Sequence, residues 1–135
     1  MLLLNQRNGK GFTLEQISRL YPLLYSGKHL SEWSNLFDER ATMVIVKDGA
    51  PLVCQTVIDG MPEQMEYAAE NEIFVEEWHD VEIRQYGHIA VMKADYVLTA
   101  DHEIRKGVDV LTLCHDERGW LITNLTFEEK ELIYR

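Results

Sequence analysis

From Asp80 onward the chain alternates apolar and polar residues in runs broken by short turn signals, a pattern that suits long antiparallel strands. The runs cover 80–86, 89–99, about 105–115 and 120–127, with turns at Gly87-His88, near Asp101-His102-Glu103 and at "DERG". A sheet of this kind has one apolar face that must be covered. The first half of the chain supplies the cover.

In "GFTLEQISRL", Thr13 and Gln16 form a predicted capping box, with Phe12 and Ile17 at its staple positions. Ile17, Leu20, Tyr21 and Leu24 mark one helical face; Pro22 predicts a kink in that helix and Gly27 its end. Ser31 is the expected cap of a short second helix whose buried stripe is Trp33, Leu36 and Phe37. "ATMVIVKDGAPLVCQTVID" places two β-rich runs around Asp48-Gly49, a hairpin signal. "DGMPEQMEYAAENEIFVEEW" reads as a third helix, with Pro62 near its first turn and Met61, Met65, Ala68, Glu72 and Val75 along one side. The acidic run Glu70 to Glu77 then reads as that helix's wet side. The expected fold is α+β and cone-shaped: three N-terminal helices packed on the concave face of a strongly bent, mostly antiparallel sheet. One domain is expected over 1–135, with 1–11 as a candidate flexible N-terminus.

Charge narrows the partners. Thirteen basic and twenty-three acidic residues leave a net charge of −10, a field that repels nucleic acid and anionic membranes. Cys54 and Cys114 lie far apart without CxxC spacing, so neither a zinc site nor a disulfide framework is expected. "MLLLNQRNGK" turns polar after three leucines, too soon for a signal peptide or a membrane span, so a reducing, cytoplasmic setting is expected. Glycine-rich phosphate loops, nucleophile elbows and HExxH motifs do not occur, and no cofactor or metal is expected.

Strand alternation assigns candidate faces. One carries Ala90, Met92, Ala94, Tyr96, Leu98, Asp109, Leu111, Leu113, Trp120, Ile122 and Asn124, and suits helices lying on it. The other carries Val91, Val97, Val108, Val110, Leu121, Leu125 and Phe127, apolar enough to predict a homodimer through this convex side. On the first face Asp109 and Asn124 are polar intruders. A carboxyl in an apolar cavity has a raised pKa and suits proton transfer near neutral pH; bonded to a tyrosine or an amide, it is a structural anchor. Trp33 and Phe37 are core if the cone is filled and lining if it is hollow. Tyr25, Tyr67 and Tyr96 add hydroxyls that suit a mixed apolar and polar cavity.

Three stretches carry a resemblance: "YSGKHLSEWSNLFDERATM", "YGHIAVMKADYVLT" and "GVDVLTLCHDERGWLITNLTF". In order and spacing, over most of residues 12 to 127, the chain resembles the nuclear transport factor two-like superfamily and its SnoaL-like group. That resemblance implies a cone binding a small, largely apolar molecule. It suits a cofactor-independent isomerase, dehydratase or cyclase working by acid/base chemistry, or a non-catalytic dimeric binding module of the same fold. It places Asp109 where the steroid-isomerase branch keeps an acid, the branch's tyrosine near Leu20 beside Tyr21, and its base near Ile45, which takes no proton. It places His79 near one histidine of the scytalone-dehydratase branch, whose second falls near Lys93 or Ala94. Asp109 and His79 are therefore the candidate catalytic residues; Tyr21, Tyr25, Trp33, Phe37, Tyr96 and Asn124 are the candidate ligand contacts.

Overall fold

The structure, a computed structural model, describes residues 11–135. The first ten residues of the expected flexible segment lie outside the described residues. Helices α1 (Leu14–Ser26), α2 (Leu30–Ser34) and α3 (Val57–Glu70) pack with six strands: β1 (Phe37–Lys47), β2 (Ala50–Thr56), β3 (Phe74–Tyr86), β4 (Ile89–Ala100), β5 (Glu103–Asp116) and β6 (Gly119–Tyr134). The sheet order is β2-β1-β6-β5-β4-β3, antiparallel throughout except for the β1–β6 pair. This is the expected α+β cone.

Local chemistry sets the helix ends. Thr13 caps α1: its hydroxyl accepts from the Gln16 amide at 3.1 Å, and the Gln16 side chain accepts from the Thr13 amide at 2.9 Å. Pro22 lies inside α1, which continues past it to Ser26. Gly27 follows with φ −75°; the left-handed position is Lys28, with φ 61°. Ser31 does not cap α2. That place belongs to His29, and Phe37 leaves the helix to begin β1. Thr56 caps α3 by accepting from the Asp59 amide at 3.1 Å, which moves Pro62 from the first turn to the second.

The third helix is shorter than expected. Asn71 ends it: the side-chain amide donates to the Tyr67 carbonyl at 2.9 Å, and its oxygen accepts from the Asp101 amide at 3.1 Å. The Asp101 carboxylate in turn accepts from the amides of Glu72 and Ile73. Short polar side chains that satisfy the backbone locally compete with further helix. The chain turns, and β3 begins at Phe74, six residues earlier than expected. Glu72 and Val75 are therefore not helical, and Glu76 is not on a helix's wet side.

Two bulges re-phase the last strand. Thr112 pairs with Asn124 but Leu113 pairs with Ile122, so Thr123 is an extra residue. Beyond it every side chain changes face. Asn124, expected on the concave side, lies opposite Thr112 on the outer face and donates to the Thr42 hydroxyl at 2.9 Å. Leu125 and Phe127, expected outside, pair with Leu111 and Asp109 on the inner face, and Leu125 is buried. A second bulge at Lys130 follows, because Gly107 pairs with Glu129 and Lys106 with Glu131. Leu121 is buried within the subunit rather than left on an open surface.

Candidate functional site

A cavity of about 390 Å³ lies between the helices and the concave face. Tyr21 and Tyr25 of α1, Trp33 of α2, Gln64 and Tyr67 of α3, Glu76 of β3, Tyr96 of β4, Asp109 of β5, and Leu125 and Phe127 of β6 are among its walls. The rings support one another. Tyr21 meets Trp33 edge-on at 5.5 Å between centroids, Tyr25 meets Trp33 at 5.3 Å, and Tyr96 meets Phe127 at 6.2 Å. Pairs of this kind contribute roughly 0.5–1.5 kcal/mol each beyond burial, which keeps the walls ordered around an open space.

Two carboxyls occupy this aromatic space. Asp109 is buried, and its Oδ2 accepts from the indole N–H of Trp78 at 2.8 Å; Trp78 is itself stacked on Tyr21 at 4.5 Å. Glu76 sits on β3, two residues before Trp78, so strand alternation points both inward. Its backbone is tied to the end of α1: the Ser26 hydroxyl accepts from the Glu76 amide at 2.7 Å and donates to its carbonyl at 3.0 Å. Glu76 Oε2 is shut off from solvent without a hydrogen-bond partner among the described residues.

Burial pushes the Asp109 carboxyl up to about 7, although the Trp78 hydrogen bond pulls the other way. Burial also raises Glu76 well above the usual carboxylate range, and the nearby charge of Asp109 raises it further. Two such groups titrate as a pair, and like charges in a dry site favour a state holding one proton. The surrounding phenols stay protonated. Tyr21, Tyr25 and Tyr96 are all raised, by burial first, with the charges of Asp109 and Glu76 adding to it.

The cations lie at the rim, engaged with acids. Arg105 is paired with Glu129, and its Nε donates to Glu103 at 3.1 Å. Tyr67 also donates to Glu103, at 2.7 Å, and lies under the guanidinium at 5.7 Å. Lys47 is 3.7 Å from Glu129. Gly107 makes room for this arrangement. A Cβ there would come within 2.7 Å of the Tyr96 hydroxyl and nearer still to the Glu128 carbonyl oxygen.

The expected site residues divide. Asp109, Tyr21, Tyr25, Trp33 and Tyr96 line the cavity. Phe37 is buried behind it, against Trp33 at 4.7 Å. Asn124 lies on the outer face. His79 is on the outer side of β3, about half exposed and 3.7 Å from Glu77, because it pairs with Asp95 one step out of phase with Trp78. Glu76, Trp78 and Arg105 were missed. The alternation Phe74-x-Glu76-x-Trp78 carried the first two, but extending α3 through these residues concealed it. Among the described residues no group of three His, Cys, Asp or Glu is placed to hold a metal ion.

No protein-family model matches the chain, and no curated protein matches it by sequence. Solved structures do. A candidate scytalone dehydratase from Novosphingobium aromaticivorans superposes with a TM-score of 0.77 at 14% identity, over 100% of this chain and 92% of that one. The beta subunit of a candidate aromatic-ring-hydroxylating dioxygenase from the same organism gives 0.70 at 12% identity, over 97% and 93%. A candidate dehydratase of the NTF2-like family from Streptomyces avermitilis gives 0.69 at 10% identity, over 88% and 94%. With superpositions that cover 88–100% of it, this chain has the nuclear transport factor two-like fold.

Proposed function

We propose that the protein binds a small, largely apolar molecule in the cone cavity and transforms it by acid/base chemistry without a cofactor, as a SnoaL-like isomerase, dehydratase or cyclase. The observation that carries this reading is the Glu76–Asp109 pair in one largely aromatic cavity, Asp109 buried and Glu76 with one carboxyl oxygen shut off from solvent. Asp109, whose ionised form Trp78 stabilises, is the base; Glu76, whose Oε2 has no donor among the described residues to stabilise its charge, keeps the shared proton and is the acid. This supplies the base that Ile45 could not. Tyr21 and Tyr96, whose hydroxyls have no hydrogen-bond partner among the described residues, are placed to hold a substrate oxygen. The dehydratase-type descriptions of two structural neighbours agree with the reading.

Carbon-13 titration of the side-chain carboxyls tests it directly. Two linked steps are expected, with at least one well above the ordinary range, and both Glu76→Gln and Asp109→Asn should collapse them to a single step. Ordinary titration of both groups near 4 would remove the acid/base pair.

We further infer a homodimer through the outer sheet face. Val91, Val97, Ile104, Val108 and Val110 cluster there, half-buried in the isolated subunit. Leu125, Phe127 and Leu121, which were expected at that contact, are not part of it. No described helix is long and apolar enough to cross a membrane. Cys54 and Cys114 are free and exposed, which fits a reducing, cytoplasmic setting.

A further inference from the structure

The cavity contains a charge imbalance that the acid/base reading leaves unused. Its lining is largely aromatic and aliphatic and carries four carboxyls, Glu63, Glu76, Asp109 and Glu129, against two cations, Arg105 and Lys47, which are already paired with Glu103 and Glu129. Glu76 Oε2 has no donor among the described residues. An ionised carboxylate in such a place is costly unless a positive partner arrives. Aromatic faces attract the same partner, because the ring quadrupole presents negative charge to a cation. The long-range field agrees, since a net charge of −10 draws cations toward the protein.

We propose that the natural ligand is an organic ammonium: an amine with an apolar or aromatic body, whose positive head lies against Glu76 and Asp109 and whose body lies among Tyr21, Tyr25, Trp33 and Phe127. This rests on the acid/base reading of the same pair and names its substrate class. The size fits. At roughly 30 Å³ per water-sized group, a 390 Å³ cavity holds on the order of a dozen non-hydrogen atoms. The head neutralises the single negative charge of the pair and leaves the shared proton on the acid, so recognition and proton transfer are compatible.

The elements around the pair bring few competing charges. α1 offers Tyr21 and Tyr25, and β4 offers Tyr96, all protonated at neutral pH. α3 offers Glu63 and Tyr67, β1 offers Lys47, and β5 and β6 offer the rim pair Arg105 and Glu129. Lys47 and Arg105 are the cations of the cavity lining, and both are engaged with acids.

The probes are 2-phenylethylammonium and its neutral isostere 2-phenylethanol, titrated calorimetrically into the intact protein. At pH 8 the cation should bind at least tenfold tighter than the alcohol. Below pH 7 the cation must expel a proton from the pair, so its affinity should fall by up to about tenfold per pH unit while the alcohol's stays level. Equal or tighter binding of the alcohol at pH 8 overturns the proposal, as does a preference for the cation that does not change with pH. The Glu76→Gln, Asp109→Asn double variant should lose the preference; retention of it also overturns the proposal. If the carboxyls titrate as a linked pair but the cation is not preferred, only the ligand class fails. If they titrate independently near 4, the acid/base reading fails first.

Discussion

Asp109 shows how one buried group couples stability to pH. Its carboxyl titrates at about 7 in the folded chain and at 3.8 when exposed, so between those values the folded state holds a proton that the unfolded state has lost. The contribution is fully present below about pH 4 and is lost as pH rises through 7. Asp109→Asn keeps an oxygen for Trp78 and removes the titration. The variant should match or exceed the wild type's melting temperature at pH 8 and lose its advantage at pH 4; a parallel pair of melting curves across pH 4–8 would contradict this. Gly107→Ala is the harsher change. A methyl wedged between the Tyr96 hydroxyl and the Glu128 carbonyl should cost about 3 kcal/mol, at the upper end for overpacking, and urea denaturation would measure it.

At the scale of elements, much of the architecture could be read from the sequence and the phase of its strands could not. The Thr13 capping box, the Asp48-Gly49 hairpin and the four long strands all have local causes, and local patterns reveal them. Glu76 was hidden because the residues that stop α3, Asn71 and Asp101, lie 30 positions apart and act only once folded together. The fate of Leu125, Phe127 and Asn124 was hidden because a bulge at Thr123 involves neither glycine nor proline, so nothing marks it in the chain. Deleting Thr123 should turn Asn124 inward and Leu125 outward and cost at least about 4 kcal/mol, the scale of losing a large buried side chain. Deleting Lys130 re-phases only the last few residues and should cost about 1 kcal/mol. Comparable denaturation midpoints for the two deletions would remove the bulge as the cause.

For the whole molecule, the outer face decides assembly. Light scattering at micromolar concentration should give twice the subunit mass, and a Val97→Glu, Val110→Glu variant should give the subunit mass with its helical circular-dichroism signal intact. These valines face away from the cavity, so the variant should bind 2-phenylethylammonium as the wild type does. A monomeric wild type would discard the interface; a variant that stays dimeric would move it to another surface.

The one parallel pairing in the sheet has a consequence in time. β1 joins β6 with Thr42 beside Asn124, 82 positions apart, and this seam sets Met43 and Ile45 next to Leu125 and Phe127 in one cavity wall. Closing so long a loop is entropically slow. A chain emerging from the ribosome can form α1, the hairpin and even the β3–β4 pair, but it has no cavity until β6 is free. Folding of this site therefore waits for β6, and a chain stalled before β6 would expose Met43 and Ile45 to whatever chaperone or protease reaches them first.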